Sequence, residues 1–383
     1  MVLDSDLPRL RRALDLAECA IGLSEPNPRV GCVIGHQDDA TLGEGHTQAA
    51  GLAHAEAMAL RDALRHGASA LRGATAWVTL EPCSHHGRTP PCADALVAAG
   101  IGRVVTPLID PNPAVSGRGL ERLRAAGVEV CVLNGDDGPE ARAIVDRAID
   151  LNVGFLTRQR RGRPWVRAKM AASLDGFTAL PDGRSQWITG AQARADGHAW
   201  RARAGAILTG IGTVLADNPH LDTRLYPVAH APRRIVLDPR ARLPADARLF
   251  GSGGPVTVYM AEGTQTPAAW LRLGAAAPTV STLPMAREGQ GLDLGHLLVA
   301  LGEQSVNELH VEAGPKLTGS LQAGGWIDEW LIYLAPRLLG RGRPMFESQG
   351  ATQLPEHPEW RVHDQRLFGE DLRVLLRRRL ASG

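Results

Sequence analysis

Two stretches, His54-Ala55-Glu56 and Thr79-Leu80-Glu81-Pro82-Cys83-Ser84-His85-His86-Gly87-Arg88-Thr89-Pro90-Pro91-Cys92, carry the most informative pattern in this sequence. Together they supply one imidazole, two thiols and one further carboxyl group. An imidazole and two thiolates suit Zn²⁺, and three protein ligands leave its fourth tetrahedral position open for water. The pattern therefore predicts a catalytic zinc site with His54, Cys83 and Cys92 as ligands.

Glu56 determines the chemistry expected of this site. Zinc lowers the pKa of water from about 15.7 towards about 7, and a carboxylate that is not a ligand can carry the proton to a departing amine. Residues two positions apart point about 200° apart on a helix, so His54 and Glu56 must lie in the first turn of one. Eight residues separate the cysteines instead of the usual two, which indicates an inserted loop. We predict hydrolytic deamination of an aminopyrimidine or purine.

Composition narrows the class of protein. The chain has 383 residues, enough for two or three domains, and its 44% hydrophobic content allows sizeable cores. A net charge of +1 gives no global basic field, so nucleic-acid binding is not expected. Five cysteines, an odd number, indicate a reduced intracellular protein. Neither a signal peptide nor a membrane-spanning run is recognisable, so we expect a cytoplasmic protein without membrane contact.

Apolar periodicity predicts an α/β module in residues 1–150, with a sheet covered on both faces. We place helices at 8–22, 54–66, 92–99 and 118–126, and strands at 30–34, 74–80, 103–106 and 128–133. Cys83 then follows a strand, whereas His54 and Cys92 each open a helix whose free amides favour thiolate. The pattern weakens after this module and ends in a basic stretch, so we predict a linker at 151–163.

A different α/β module is predicted for residues 164–383. We place its strands at 165–170, 206–209, 234–238, 256–260, 308–312, 330–334 and 372–376, and its helices at 191–204 and near 294–301. The stretch 311–320 is typical of a strand, a glycine turn and a helix, whose free amides would bind a phosphate; alternatively, the glycines serve turn geometry alone. The stretch 209–213 is a second glycine-rich strand exit. Neither matches the dinucleotide fingerprint, so a Rossmann domain is disfavoured.

Longer runs of the sequence resemble one family. The runs 26–28, 30–34, 54–56 and 79–92 look like the deaminase half of the bifunctional deaminase/reductase family of riboflavin biosynthesis. The runs 172–176, 185–189, 213–219 and 311–315 look like its reductase half, and the resemblance covers nearly the whole chain in the family's order. It implies an N-terminal cytidine-deaminase-like three-layer α/β/α domain and a C-terminal dihydrofolate-reductase-like α/β domain.

The resemblance also implies two consecutive reactions. Residues 1–150 would deaminate 2,5-diamino-6-ribosylamino-4(3H)-pyrimidinone 5′-phosphate with one Zn²⁺ per chain. Residues 164–383 would then reduce the ribosyl group to ribityl with NADPH. The expected partner is this small phosphorylated pyrimidine, and we expect the chain to form a homo-oligomer, in the simplest case a dimer.

Residue by residue, the resemblance implies roles in both halves. Glu56 transfers the proton of deamination, Asn27 contacts the substrate, and Ser84 and Arg88 are candidates for its phosphate. Cofactor positions in the reductase fall on Ala171, Trp187, Thr213, Asp217, Gly314, Pro315, Lys316, Leu317, Thr318, Gly319 and Ser320. Substrate positions fall on Ser185, Arg201, Leu221, Arg224 and Glu312.

The sequence does not decide which residue is the acid of the reductase reaction. Hydride can reach C1′ once the aminoribose ring opens, and an acid near the ring oxygen would assist that opening. Lys169 is our hypothetical donor, with Asp217 or Glu312 as alternatives. Equally, Lys169 is a charged partner of one of these carboxylates.

Two departures and two rival functions complete the predictions. The run Gly43-Glu44-Gly45-His46-Thr47 places a histidine one residue earlier than relatives do, and Gly51-Leu52-Ala53 lacks the usual proline, so we expect altered substrate affinity.

A nucleic-acid base deaminase shares the zinc motif but leaves the second module unexplained. A noncatalytic zinc-stabilised binding protein has no use for Glu56.

Overall fold

The computed structural model describes residues 2–36, 41–67, 71–84, 90–112, 115–226, 228–251, 253–286, 291–347 and 359–378. These residues belong to two compact units, Met1–Gly162 and Arg163–Gly383. Within the described ranges, every helix is too short or too polar to cross a membrane.

The first unit contains a five-stranded sheet. Its elements are α1 (Asp6–Glu18), β1 (Gly31–Gly35), β2 (Thr41–His46), α2 (Ala55–Ala63), β3 (Thr75–Val78), α3 (Cys92–Ala98), β4 (Arg103–Thr106), α4 (Arg118–Ala125), β5 (Glu129–Val132), α5 (Pro139–Leu151) and α6 (Val153–Arg161). The strand order is β2-β1-β3-β4-β5. β1 is antiparallel to β2 and β3, while β3, β4 and β5 run parallel.

Side chains on the two faces of this sheet enter separate cores. Trp77 and Val105 pack with α1 and α5, whereas Val78 and Val104 pack with α2, α3 and α4. Burial on both faces explains why these strands appear in the sequence as continuous apolar runs. The predicted three-layer α/β/α arrangement is therefore confirmed.

The predicted linker at 151–163 is wrong. Most of it is helix α6, and Phe155 and Leu156 are buried in the core of the first unit. The helix ends at Gly162, whose φ of 66° suits a left-handed C-cap. The basic residues that suggested a solvated linker occupy the last turn of α6, where cations favour the negative end of the helix dipole.

The second unit contains a nine-stranded sheet of order β11-β10-β9-β8-β12-β6-β13-β16-β15 and a small ribbon of β7 and β14. Its elements are β6 (Trp165–Ser173), β7 (Phe177–Ala179), α7 (Ala191–Arg203), β8 (Ala206–Gly210), α8 (Ile211–Asp217), β9 (Arg233–Leu237), β10 (Val256–Ala261), α9 (Ala268–Leu271), β11 (Thr279–Leu283), α10 (Leu294–Glu303), β12 (Glu308–Val311), α11 (Pro315–Ala323), β13 (Glu329–Ala335), β14 (Arg343–Pro344), β15 (Trp360–Phe368) and β16 (Asp371–Arg378). In the large sheet, β16 is antiparallel to both of its neighbours, and all the other pairs are parallel. The predicted second α/β module is therefore confirmed.

The parallel strands bring their carboxyl ends to one edge of this sheet. The chain leaves that edge at Gly210 after β8 and at Gly314 shortly after β12, and each glycine is the N-cap of a helix. Open α/β sheets generally bind ligands at such an edge. The predicted strands and helices of both units are present, but β2, α5, α6, β7, α8, α9, β11, β14 and β15 were not predicted.

A buried ion network joins the central strands β6, β12 and β13 near their amino-terminal ends, opposite the edge where the two glycines lie. The guanidinium of Arg167 on β6 donates to Glu308 on β12, at 2.8 Å, and to Glu329 on β13. Arg203 on α7 donates to the same Glu308 at 3.0 Å, and Arg377 on β16 donates to Glu329 at 2.7 Å. Each buried carboxylate thus has two arginine donors, which offsets the cost of burying its charge.

A buried ion pair joins α1 to β4 in the first unit. The carboxylate of Asp6 accepts hydrogen bonds from both terminal nitrogens of Arg103, at 2.7 and 2.8 Å, and from Nε1 of Trp77 at 2.8 Å. Burial raises the pKa of Asp6, but the bonds from Arg103, the Leu3 amide and Trp77 outweigh it and hold the pKa below its ordinary 3.8. The stabilisation is therefore present above about pH 4 and is lost as the pH falls through the lowered pKa.

We expect Asp6→Asn to lower the free energy of unfolding of the first unit by about 3 kcal/mol, because buried Arg103 then keeps only the more exposed carboxylate of Glu129, at 3.4 Å, as a counter-charge. A domain of this size loses roughly 2–4 °C in melting temperature per kcal/mol. Asp15→Asn on the same helix is the matched control, since Asp15 pairs with Arg147 at the surface, where such pairs contribute at most about 1 kcal/mol. Scanning calorimetry at pH 7 measures both variants, and equal losses would contradict a special role for the buried pair.

Candidate metal and cofactor sites

The structure brings His54, Cys83 and Cys92 together. Nδ1 of His54 lies 3.6 Å from Sγ of Cys83 and 3.5 Å from Sγ of Cys92. With Zn–N bonds of about 2.0–2.1 Å and Zn–S bonds of about 2.3 Å, tetrahedral zinc requires N···S separations of about 3.6 Å. The three side chains therefore fit zinc. Among the described residues, they form the single cluster of three potential metal ligands.

Helix starts position two of these side chains. His54 is the extended N-cap residue of α2, and Cys92 is the first residue of α3. Cys83 lies in the loop after β3, where its Sγ accepts a hydrogen bond of 3.3 Å from the backbone N–H of Cys92. The amide at the N-terminus of α3 thereby stabilises a thiolate at Cys83. The predicted placement of the three residues is confirmed.

Two glycines of β2 set the position of α2. A Cβ on Gly43 would lie 2.3 Å from the carbonyl oxygen of Ala59, and one on Gly45 would lie 2.5 Å from that of Ala55. Any larger residue at either position would push the helix away from the strand. His54 is the N-cap residue of this helix. The two glycines, which set the distance between helix and strand, therefore also set the position of His54 relative to the sheet.

Glu56 is buried in the first turn of α2, as predicted. Burial, with a smaller effect of Cys83, raises the pKa of Glu56 to about 7. The hydrogen bond with Cys92 lowers the pKa of Cys83 to about 4, and the same bond raises the pKa of Cys92. The site therefore holds a thiolate beside a carboxyl group that exchanges its proton near neutral pH, which suits a metal ligand beside a proton carrier.

Glu81 also shapes the site, although we did not predict a role for it. Its buried carboxylate accepts hydrogen bonds from the backbone N–H groups of Asp110 (3.1 Å), Gly117 (3.0 Å) and Gly119 (2.9 Å). These bonds tie the start of α4 and the loop before it to the strand exit that leads to Cys83. The one signal in the sequence was an acidic residue directly before the Pro-Cys pair.

A cavity of about 610 Å³ opens beside the metal ligands. His54 and Cys92 line it together with Gln48, Leu52 and Arg61. Its described lining does not include the predicted substrate residues Asn27 and Ser84, both of which are half-buried. Arg88, the other candidate for the substrate phosphate, lies outside the described residues.

Of the two departures from the family pattern, the stretch Gly51-Leu52-Ala53 lines this cavity, whereas His46 and Thr47 are not part of its described lining. Thr47 occupies the buried position next to the displaced histidine, and its hydroxyl oxygen accepts a hydrogen bond of 3.2 Å from the backbone N–H of Val30. His46, one residue earlier, projects from the opposite face of β2. Leu52 is 60% exposed at the cavity wall. The expected change in substrate affinity stays a prediction.

In the second unit, Lys169, Arg201 and Glu312 form a partly buried charge cluster near the carboxyl ends of β6 and β12. Arg201 donates from Nε and from a terminal nitrogen, at 2.8 Å, to the two oxygens of Glu312, and Nζ of Lys169 lies 3.9 Å from Oε2. Burial alone would raise the pKa of Glu312, but the charges of Arg201 and Lys169 hold it well below its ordinary value. Burial lowers the pKa of Lys169, and the charge of Glu312 opposes that effect.

Asp222 contacts two of the predicted substrate residues, Arg201 and Arg224. A terminal nitrogen of Arg201 donates to the carbonyl oxygen of Asp222 at 3.1 Å, and Arg224 donates to the carboxylate of the same residue. The segment at Asp222 therefore brings the two arginines together. Leu221 is buried beside them with a φ of 52°, while Ser185 is half-buried in the loop before α7.

The two glycine-rich strand exits meet at the predicted cofactor positions. Gly314 is the N-cap of α11, and a Cβ on it would lie 3.7 Å from Oγ1 of Thr213 on α8. A Cβ on Gly319 would lie 2.0 Å from the carbonyl oxygen of Glu347, so α11 packs closely against that segment. Free amides at the start of α11, next to a hydroxyl group, fit a phosphate of a dinucleotide. The helix holds the predicted positions Pro315, Lys316, Leu317, Thr318, Gly319 and Ser320.

The remaining predicted cofactor residues lie on three other elements. Ala171 is on β6, and Asp217 ends α8, where burial raises its pKa against the charge of Arg343. Trp187 is 60% exposed in the loop before α7, and the guanidinium of Arg194 stacks 4.4 Å from its ring. An exposed aromatic face of this kind can pack on a planar cofactor ring.

Comparison with known proteins identifies both halves. Residues 4–108 match the family described as the cytidine and deoxycytidylate deaminase zinc-binding region, and residues 164–374 match the RibD C-terminal domain. The riboflavin biosynthesis protein RibD of Escherichia coli K12 is 43% identical over 376 residues, which cover 95% of this chain and 96% of that protein. RibD of Aquifex aeolicus is 36% identical and covers 99% of this chain and 100% of its own length.

Solved structures agree over the whole length. Acinetobacter baumannii RibD is 37% identical, with a TM-score of 0.83, and the match covers 99% of this chain and 100% of that one. A Thermotoga maritima deaminase/reductase is 31% identical, with a TM-score of 0.84, and the match covers 98% and 99%. The chain therefore belongs to the RibD family of bifunctional riboflavin-biosynthesis enzymes, with a zinc-dependent deaminase domain followed by an NADPH-dependent, dihydrofolate-reductase-like reductase domain.

Proposed function

We propose that the two domains act in succession on one phosphorylated pyrimidine. The first would hydrolyse the 2-amino group of 2,5-diamino-6-ribosylamino-4(3H)-pyrimidinone 5′-phosphate, and the second would reduce the ribosyl group to give 5-amino-6-ribitylamino-uracil 5′-phosphate. The Thermotoga maritima relative is named as a diaminohydroxyphosphoribosylaminopyrimidine deaminase and 5-amino-6-(5-phosphoribosylamino)uracil reductase. The observation that carries the proposal is the cluster of His54, Cys83 and Cys92 beside buried Glu56, in one chain with a reductase domain.

In the deaminase domain, His54, Cys83 and Cys92 would hold the zinc ion, and Glu56 would move the proton. Zinc, when bound, supplies a Lewis acid that makes water a nucleophile at neutral pH. A carboxyl oxygen of Glu56 takes a proton from the attacking water and passes it to the departing amine. With its pKa raised to about 7 by burial, Glu56 can do both near neutral pH. Three ligands and a buried carboxyl group do not suit a closed, purely structural zinc site.

In the reductase domain, charged residues would hold the substrate and supply a proton. Arg201 and Arg224 suit the phosphate, because a guanidinium fork can bind two oxygens, and Ser185, Leu221 and Glu312 complete the proposed substrate site. NADPH supplies the hydride, and its proposed site comprises Ala171, Trp187, Thr213, Asp217 and the segment 314–320. Lys169, partly buried and close to Glu312, donates a proton to the ring oxygen as the aminoribose opens.

We also propose that the protein is a cytoplasmic homo-oligomer, a dimer in the simplest case. The edge strand β15 supports assembly, because Val362 is 59% exposed and Leu367 is 72% exposed on it. An exposed sheet edge of this length is a template for pairing with another chain. Five free cysteines support a reducing compartment.

Cys83→Ser tests whether the two activities are separate. We expect the variant to lose zinc and ammonia release, because only two ligands remain, but to oxidise NADPH at the wild-type rate with the deaminated intermediate as substrate. Cys19→Ser is the matched control, since Cys19 is exposed and far in the sequence from the cluster. Ammonia release and NADPH oxidation are measured separately. Loss of both activities in Cys83→Ser would contradict the assignment.

Glu56→Gln tests the proton carrier without removing a ligand. We expect its zinc content to equal that of the wild type and ammonia release to fall roughly 10²–10⁴-fold, the usual contribution of general acid–base catalysis. Glu121→Gln, at an exposed position of α4, serves as the control. Elemental analysis and ammonia assays are the measurements. Deamination at more than a tenth of the wild-type rate would remove Glu56 from this role.

Lys169→Met tests the reductase acid. Methionine keeps much of the length of lysine but has no proton to donate, so we expect ribosyl reduction to fall roughly 10²–10⁴-fold. Ammonia release from the same chain provides the internal control and should not change. Single-turnover oxidation of NADPH gives the rate. An unchanged rate would show that Lys169 is merely a charged partner of Glu312.

A further inference from the structure

His310 is a buried titratable side chain that the proposed reactions do not use. It lies on β12, two residues before Glu312, so the two side chains project from the same face of the strand. Its exposure is 0%, and within the described part of the chain neither ring nitrogen has a well-aligned hydrogen-bond partner. A buried polar group left in this state lowers stability, so its presence calls for a functional explanation.

The imidazole of His310 faces the carboxylate of Glu312. Its Nε2 lies 3.3 Å from Oε1 of Glu312, close but not aligned for a hydrogen bond in this structure. The same Oε1 accepts from Nε of Arg201, and Oε2 accepts from a terminal nitrogen of Arg201 and lies 3.9 Å from Nζ of Lys169. Donors from α7, β6 and β12 therefore surround one carboxylate.

The other carboxylate on this face of β12 already has its donors. Glu308, two residues before His310, accepts hydrogen bonds from Arg167 and Arg203. Glu312 is thus the carboxylate to which His310 can donate a hydrogen bond. Burial lowers the pKa of His310, so the ring is neutral and carries a single N–H group. In the Nε2–H tautomer this group lies 3.3 Å from Oε1, within reach of a hydrogen bond once the two groups align.

We propose that His310 is a positioning residue for ribosyl reduction, holding the carboxylate of Glu312 in place next to Lys169. The inference rests on the proposed roles of Glu312, Lys169 and Arg201 in the reductase domain. Arg201 is also a proposed ligand of the substrate phosphate, so its guanidinium must serve two anions once substrate binds. His310 then supplies the second donor that keeps Glu312 oriented while Arg201 engages the phosphate.

This role predicts opposite effects on stability and on catalysis. Without substrate, the buried imidazole lies 3.3 Å from Glu312 but makes no aligned hydrogen bond, so His310→Leu removes an unsatisfied polar group and should keep or raise the melting temperature of the free protein. The same change removes a donor to Glu312, so kcat for ribosyl reduction should fall roughly tenfold, while KM for NADPH and ammonia release stay unchanged. A residue that merely fills the core would show the reverse, a lower melting temperature and a normal kcat.

His310→Gln is the conservative control, because its amide nitrogen can occupy the place of Nε2. We expect it to keep kcat within about threefold of the wild type. In a Glu312→Gln background, His310→Leu should have no further effect, because His310 acts through Glu312 and the two changes are then not additive. His310→Met serves as the apolar variant if His310→Leu does not fold.

Three results would overturn the inference: wild-type kcat in His310→Leu, equal losses in the Leu and Gln variants, or an undiminished loss in the Glu312→Gln background. The single variant Glu312→Gln separates the proposed catalytic role of Glu312 from the positioning role of His310. If that single variant reduces the substrate normally, the proposed role of Glu312 fails and the role of His310 fails with it. If it does not, the His310 variants test the positioning role by itself.

Discussion

The close packing of α2 on β2 is the constraint on which the deaminase site depends. Backbone meets backbone there, since Gly43 and Gly45 leave no room for a side chain beneath Ala55 and Ala59. The helix start, and with it the imidazole of His54, is therefore placed by main-chain contact, which has little freedom to shift. A metal site needs ligand positions accurate to a few tenths of an ångström, and this contact provides one of them.

The second unit uses buried charge in two ways along the same strands. At one end of β6 and β12, Arg167 and Glu308 belong to a network in which each carboxylate has two arginine donors. At the other end, the cluster of Lys169 and Glu312 lies where ligands bind in parallel sheets. The first arrangement is fully paired and holds strands together. The second brings Lys169 and the guanidinium groups of Arg201 and Arg224 to the edge where chemistry is expected. His310 lies on β12 between the two charge clusters.

Prediction succeeded where chemistry is a property of residue type and failed where it depends on partners. The cluster of His54, Cys83 and Cys92 could be predicted because an imidazole and two thiols at this spacing have few other uses. Glu81 could not, because its hydrogen-bond donors lie about thirty or more residues later. The linker prediction failed because it was based on the charged residues in the last turn of α6. It gave too little weight to the apolar Phe155 and Leu156, which are buried in the core. β2 was missed because glycine, rather than apolar alternation, marks a strand that carries a helix on its backbone.

The sequence by itself determined the class of reaction, the candidate metal ligands and the α/β nature of both units, because residue type and periodicity carry that information directly. Only the tertiary structure decided how these groups behave. The pKa of Glu56 near 7, the thiolate of Cys83 and the lowered pKa of Glu312 all arise from burial and from charges contributed by distant segments. Electrostatic environment is a property of packing, and no pattern within a single stretch of chain specifies it.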